Sequence, residues 1–298
     1  MRIASNTVSD NIVRQIQDLS SQQTKLQAQV ASQKRITQAD DDPAATGRVL
    51  NLDSERRAID QFNRNADRAL EISQATYNGL LQIKRISDRA SEIGTLGAGA
   101  QSPESLNAYA AEVDQLLEQT LQLANSRLRN DYLYGGTAVD TPPFNVTRSA
   151  AGEITGVTFA GNAAQTSITL SETSSVSPGS DATANSGIQD FLNNLITLRD
   201  ALRAGGGAAV TAVQANLVTT EDTFVSSLAQ QGAVQMRIDV NQSQQKARIE
   251  NLQGLIAGET EVDLPSTVVK LTHAQTAYQA ALQSAANIMR LSLLDYIK

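Results

Sequence analysis

Apolar residues near the start of the chain recur at alternating intervals of three and four. The positions on this spacing are Ile12, Ile16, Leu19, Gln23, Leu26 and Val30. A heptad pattern of this kind places one apolar stripe along a helix, and such a stripe packs against a partner helix. The pattern therefore predicts a terminal helix with one face reserved for a partner.

A second stripe begins after Asp42-Pro43 and predicts a long helix from Pro43 to Ile93. Its positions are Ile59, Phe62, Ala66, Ala69, Ser73, Thr76, Leu80 and Ile83. The glycines and the proline of residues 94–105 are expected to break this helix. Ser102-Pro103 then fits an N-cap followed by proline at the first helical position, which predicts a third helix to about Asn130.

Three consecutive acidic residues, Asp40, Asp41 and Asp42, precede the start of the long helix. Asp is a favoured N-cap, and proline is best tolerated at the first turn, so Asp42 and Pro43 predict a helix restart. A calcium loop would need glycine at its sixth position and a glutamate at its twelfth, whereas Ala45 and Asn51 stand there. The run is therefore interpreted as a helix start signal and not as a metal site.

The composition changes between Phe144 and about Thr183, where Thr, Ser, Gly and Ala dominate. The segments "EITGVTFAG" and "TSITLSE" alternate apolar and polar residues, which predicts β-strands. The segment "YLYGGTAVDTPPFNV" before them is interpreted as a strand, a glycine turn and an extended stretch, and "SVSPGSDATANSG" after them as a loop. Residues 144–183 are therefore expected to form a small β domain.

The second half of the chain mirrors the first. A helix is predicted from Ile188 to Arg203, and a long stripe follows the glycines of residues 205–207. The stripe comprises Val210, Val213, Leu217, Thr220, Phe224, Ser227, Gln231, Val234, Ile238, Asn241, Gln245, Arg248, Leu252 and Leu255. After Pro265 a last helix carries Val268, Leu271, Gln275, Tyr278, Leu282, Ala285 and Met289, and it continues through Leu291 and Leu294.

These elements predict a mainly α fold with a small β insert. The two halves would form a long antiparallel helical bundle with coiled-coil character, and the β domain would lie at its distal tip. The predicted parts are the terminal helices of residues 1–42 and 264–298, a long-helix domain of 43–143 and 184–263, and the β domain of 144–183. The stripes of the long inner helices can equally be internal core.

The terminal helices carry the main functional implication of this plan. Isolated helices are marginal in water, so each terminal stripe needs the other end of the chain or another molecule. That requirement is typical of a polymer subunit. The predicted assembly residues are Ile12, Ile16, Leu19, Leu26, Val30, Val268, Leu271, Tyr278, Leu282, Met289, Leu291 and Leu294.

Composition narrows the function classes further. The chain has no cysteine, which excludes disulfides and thiol nucleophiles, and its one histidine, His273, has no nucleophile or carboxylate partner at helical spacing. We therefore expect no enzymatic activity, cofactor or metal. The net charge of −7 argues against nucleic acid as a partner. No apolar run is long enough to span a membrane, and the N-terminus has no apolar core of a secretory signal.

Three motifs in order resemble the bacterial flagellin superfamily. They are "MRIASNTV" with "LQAQVASQKRITQADDDPAATGRVL", then "DYLYGGTAVDTPPF", then the ending "AYQAALQSAANIMRLSLLDYIK". The family's first helix usually ends in a Ser-Gly-Lys-Arg-like tetrad, and here Gln33 stands in the place of the glycine. The Met-Arg-Ile start, Pro43 after Asp41-Asp42 and the C-terminal ending are most similar to one branch, hook-associated protein 3.

The resemblance implies a structural role in the flagellum, at the junction between hook and filament. It implies export by the flagellar type III apparatus without a cleaved signal peptide, and an extracellular location. The implied partners are further copies in a ring, a neighbouring hook-associated protein, flagellin, and an export chaperone at about Leu264–Lys298, with no nucleic acid and no membrane. A flagellin that forms the filament body is the alternative, and a binding role for the β insert stays open.

Overall fold

A computed structural model gives the backbone of residues 2–99 and 102–296 and the side chains of residues 10–99 and 102–287. The helices of this described part are α1 (Arg2–Ser32), α2 (Pro43–Gly99), α3 (Pro103–Ala124), α4 (Ala182–Arg203), α5 (Ala208–Thr260) and α6 (Leu264–Tyr296). The strands are β1 (Arg127–Leu128), β2 (Asp131–Tyr132), β3 (Phe144–Arg148), β4 (Ile154–Phe159), β5 (Ile168–Ser171) and β6 (Ser174–Val176). The mainly α fold class is confirmed.

The heptad stripes of α2 and α5 are buried, as the sequence predicted. The buried positions of α2 include Ala66, Ala69, Ser73, Thr76, Leu80 and Ile83. Those of α5 are Val210, Val213, Leu217, Thr220, Phe224, Ser227, Gln231, Ile238, Gln245 and Leu252. Polar members of the two stripes bond to each other, because Ser73 Oγ donates to Gln231 Oε1 at 2.9 Å. Two predicted positions near the end of α5, Arg248 and Leu255, are exposed.

The prediction that glycines end the long helix at residue 93 is wrong, because α2 continues to Gly99. Gly94 and Gly97 are both buried within the last turns. A Cβ on Gly97 would overlap the side chain of Leu202 in α4. These glycines therefore allow close approach between helices and do not interrupt the helix.

The chain divides into two compact units. One unit comprises residues 1–58 and 247–298, and the other comprises residues 59–246. The boundaries fall inside α2 and inside α5. The first unit holds the pair of terminal helices α1 and α6, which contact each other. The three-part domain division drawn from the sequence stays a prediction.

The core of the second unit lies where α3 and α4 pack against each other and against α2 and α5. Phe191 and Phe224 meet there edge to face, with ring centroids 5.6 Å apart. The hairpin of β3 and β4 packs on α4, and the buried Arg199 donates to the backbone oxygen of Ile154 at 2.8 Å. This hairpin therefore shares the helical core.

The strands are short, and the small β domain of residues 144–183 stays a prediction. They form three separate antiparallel pairs, β1–β2, β3–β4 and β5–β6. Leu170 and Val176 of the third pair belong to a second apolar cluster, with Ala66 and Ala69 of α2 and Ile238 of α5. Two-stranded hairpins are too small to be stable alone, which explains why β3–β4 and β5–β6 use helical surfaces. β3 and β6 form in segments that were predicted to be extended chain and loop.

Candidate assembly surface on the terminal helices

The predicted stripe of α1 faces α6. Leu26 is buried at 9% exposure, whereas Ile12, Ile16, Leu19 and Val30 are half-buried. The terminal helices therefore satisfy part of their apolar surface by packing on each other, as the heptad spacing predicted.

The inward face of α6 includes four of the predicted stripe positions, Leu271, Gln275, Tyr278 and Ala285. The predicted positions Val268 and Leu282 are exposed, and their neighbours Thr267 and Ala281, together with Ala274, are turned inward in their place. Small residues therefore occupy much of the face that packs. Small side chains let two helix backbones come close, and alanine leaves no long side chain to order.

Larger aliphatic residues of the terminal helices lie outward. Val268 is 45% exposed and Leu282 is 42% exposed. Val269 of α6 and Val13 of α1 are also exposed. Val13 and Val269 were not singled out from the sequence, although an apolar residue beside a heptad stripe is a visible signal. Met289, Leu291 and Leu294 lie outside the residues whose side chains the structure describes. The assembly role of all the predicted residues stays a prediction.

Asp42 caps α2. The helix begins at Pro43, and Asp42 Oδ1 accepts the backbone N–H of Ala45 at 3.0 Å. This is the N-cap geometry that the sequence predicted. The bond from Ala45, together with the guanidinium of Arg35, lowers the pKa of the Asp42 carboxyl below its usual range.

Asp41 holds the linker between α1 and α2. Its Oδ1 lies 2.7 Å from Lys25 Nζ, and its Oδ2 accepts the backbone N–H groups of Thr37 at 3.0 Å and Gln38 at 3.1 Å. The bond from Lys25 and the two backbone donors lower the pKa of Asp41 well below its usual range. The acidic run is thus used for a helix cap and a loop anchor, with protein groups as the partners.

Gln33 has a left-handed backbone conformation, with a φ of +57°. The family's tetrad usually has glycine at this place, and glycine adopts positive φ without steric cost. The positive φ therefore explains why glycine is usual at this place. Gln33 is strained there because its Cβ disfavours the left-handed conformation.

The described residues contain no group of three or more histidine, cysteine or acidic side chains that could hold a metal ion. Nor is any helix in the described segments long and apolar enough to cross a membrane.

A shallow groove of about 660 Å³ runs beside α1, lined by Ile16, Thr24, Lys25, Asp41 and Tyr278 among others.

Comparison with known proteins matches residues 3–132 to the bacterial flagellin N-terminal helical region. A sequence relative is the flagellar filament 41 kDa core protein of Borreliella burgdorferi, 26% identical over 108 residues. That alignment covers 36% of this chain and only 32% of the relative.

Solved structures share the fold. One is described as a flagellar hook-associated protein from Vibrio parahaemolyticus, with a TM-score of 0.66 at 17% identity, covering 74% of this chain and 100% of that one. Another is FlgL of Bacillus cereus, with a TM-score of 0.60 at 15% identity, covering 70% of this chain and 99% of that one. The resemblance seen in the sequence is therefore confirmed: residues 3–132 match the N-terminal helical region of bacterial flagellins, and the chain shares the fold of solved flagellar hook-associated proteins.

Proposed function

We propose that this chain is a structural subunit of the bacterial flagellum that joins the hook to the filament. It would form a ring of copies on a neighbouring hook-associated protein and offer its other side to flagellin. It would be exported without a cleaved signal peptide, with a chaperone on its C-terminal region at about 264–298, and would act outside the cell. The fold shared with hook-associated proteins and the flagellin N-terminal region support this proposal.

The observation that carries the proposal is the apolar surface left on the terminal helices. Val268, Val269 and Leu282 of α6 remain 42–55% exposed after α6 has packed on α1. Burying apolar side chains is worth roughly 25 cal/mol per Å², so these positions supply association energy when copies meet. A pair of helices with an outward aliphatic row is suited to repeated contacts between subunits.

Two sets of variants separate the inner contacts from the outer ones. Leu271→Ser weakens the packing of α6 on α1, whereas Val268→Ser with Leu282→Ser leaves that packing in place and removes outward apolar surface. If the outward row joins subunits, the double variant is secreted and folds normally but fails to enter the flagellum. Normal incorporation of the double variant would contradict this assignment of the row.

The alternative role is a flagellin that forms the filament body. Deleting the gene distinguishes the two. If the chain is a junction protein, hooks persist without filaments, and a separate filament protein accumulates unpolymerised in the medium. If the chain is the filament protein, no such separate protein appears.

A further inference from the structure

A pocket of about 420 Å³ lies in the second unit, between α2, the β1–β2 hairpin and the chain that leads into β5. Small-molecule sites in proteins enclose roughly 300–1,000 Å³, so the pocket has room for a small ligand. One wall comes from the Thr- and Ser-rich insert, which supplies Thr166, Ser167 and Thr169. The pocket therefore uses the segment for which the sequence left a binding role open.

Several polar side chains around the pocket are not used by the fold. Arg68 of α2 and Asp131 of β2 line it, are exposed, and form no ion pair or side-chain hydrogen bond with any described residue. The same holds for the side chains of Gln165, Thr166 and Ser167. These groups are free to donate to and accept from a bound molecule.

Arg129 forms part of the rim of the pocket, at the turn of the β1–β2 hairpin. Its φ is +60°, in the left-handed region that a non-glycine residue rarely adopts. Its Nε and Nη2 donate to the two carboxylate oxygens of Glu71 in α2, which also lines the pocket. Strained backbone persists only where the surroundings hold it, and it clusters at ligand clamps and active sites. The bidentate pair therefore fixes the hairpin against α2 and keeps the shape of the pocket.

The charges of the pocket favour a neutral ligand. Two cations, Arg68 and Arg129, and two carboxylates, Glu71 and Asp131, line it, so the charges balance. Arg129 and Glu71 already neutralise each other. An anion or a cation would find an opposing charge of the same sign beside its partner, whereas hydroxyl groups can bond to both signs.

Apolar surface lies beside these polar groups, with Ile72, Leu128 and Val139 in the lining. Tyr132 also lines the pocket, but its ring is only 8% exposed and lies 4.1 Å from the guanidinium of Arg127. A planar base therefore has little surface on which to stack. A sugar ring carries hydroxyl groups around its edge and C–H groups on its faces, and this mixture suits the pocket.

We propose that the pocket binds a neutral saccharide, either as a free sugar or as the end of a glycan chain. Arg68, Asp131, Thr166 and Ser167 hydrogen-bond to its hydroxyl groups, and the aliphatic lining covers its C–H groups. The inference does not depend on the role of the chain in the flagellum.

The test is saturation-transfer NMR on the full chain. The neutral probes are glucose, galactose, N-acetylglucosamine, maltose and lactose, and glucuronic acid is the anionic probe. We expect at least one neutral sugar to bind with a dissociation constant on the order of 1 mM, as a ligand of this size allows, and to bind equally at low and high salt. Binding of no neutral sugar, or of glucuronic acid alone, would overturn the proposal.

Immobilised glycans that end in the same sugar distinguish the two sources. Capture of the protein by these glycans points to a chain end, whereas binding of the free sugar alone points to a small molecule. Both results support saccharide binding.

Two double variants show whether the sugar lies in this pocket. Arg68→Ala with Asp131→Ala removes hydrogen-bonding groups from the lining and should weaken binding at least about tenfold. Arg64→Ala with Asp140→Ala removes the same two charges from exposed positions outside the pocket and should leave binding unchanged. Gln165→Ala, which alters no charge, should weaken binding about threefold. Unchanged binding in the first pair, or an equal loss in both pairs, would contradict the assignment of the pocket.

Discussion

Single residues fix the backbone where helices start, end and approach one another. Gln33 ends α1 in a left-handed conformation, and Asp42 starts α2 as its cap. The role of Asp42 was predictable because capping depends on local sequence. The left-handed φ at Gln33 was not, since it follows from the pairing of two linkers that are distant in the chain.

Gln33→Gly is expected to stabilise the protein. A non-glycine residue in the left-handed region costs roughly 1–2 kcal/mol of stability, and glycine removes this cost. The unfolded chain gains conformational freedom with glycine, which offsets about half of the improvement. We expect a net gain of about 0.5–1 kcal/mol in urea-induced unfolding of the first unit. Gln33→Ala keeps the strain and serves as the control, so an equal gain from Ala would refute the explanation.

Gly79 gives a second test at this scale. It is buried in α2 beneath the ring of Tyr134, whose hydroxyl donates to the backbone oxygen of Thr76 at 3.0 Å. A Cβ on Gly79 would overlap that hydroxyl. Gly79→Ala should therefore destabilise the second unit by about 1–3 kcal/mol, although alanine is normally the better helix former.

Tyr134→Phe provides the control for this prediction, because it removes the hydroxyl that the new methyl group would meet. In that background Gly79→Ala should be close to neutral or stabilising, measured by chemical unfolding. The same loss of stability in both backgrounds would mean that the overlap is not the cause.

The elements of the chain were predictable where one periodic pattern dominates. The stripes of α2 and α5 were found because their apolar spacing is sustained over many turns. In α6 the positions Leu271, Tyr278 and Ala285 were found, whereas Val268 and Leu282 are exposed because neighbouring small residues occupy the inward face. β6 was missed because its three residues bury Val176 against α2 and α5, which no local pattern records.

The cap of α2 can be tested as an element. Asp42→Asn keeps an oxygen that accepts from Ala45 N, whereas Asp42→Ala removes it. We expect faster hydrogen exchange in the first turns of α2, residues 43–48, for the alanine variant and little change for the asparagine variant. An equal rise in exchange in the two variants would show that the ion pair with Arg35, and not the cap, holds the helix start.

The linkers between helices should also respond to pH. Hydrogen bonds and neighbouring cations lower the pKa of Asp41, Asp42 and Glu259 in the folded state. A carboxyl group with a lowered folded-state pKa stabilises the fold above its ordinary pKa of about 4, and that contribution is lost as the pH falls below it. Exchange of peptides covering residues 33–42 and 259–263 should therefore be steady from pH 7 to 5 and rise, relative to the intrinsic rate, below pH 4.

The whole molecule consists of two compact units, and each packs helices together while leaving some aliphatic residues exposed, such as Val268 in the first unit and Met236 in the second. The mainly α architecture followed from the sequence because the pattern of the two halves is nearly palindromic. The positions of the three hairpins could not be predicted from the sequence, since each position depends on which helical surface is free to cover the hairpin.

Leu271→Asp tests the terminal pair at this scale. Leu271 is half-buried in the inward stripe of α6, and an unpaired carboxylate there costs more than about 1.4 kcal/mol, or a factor of ten in assembly. We expect incorporation into flagella to fall at least about tenfold, while circular dichroism and protease resistance of residues 59–246 stay unchanged. Gln82→Asp, which adds the same charge on an exposed face of α2, should incorporate normally.

Immunolabelling in the electron microscope distinguishes a junction protein from a filament subunit. Flagella of the source bacterium would be labelled with an antibody against the second unit, residues 59–246. If the chain is a junction protein, the label forms one discrete band where the hook meets the filament. Label along the whole filament would contradict it and identify the chain as a filament subunit.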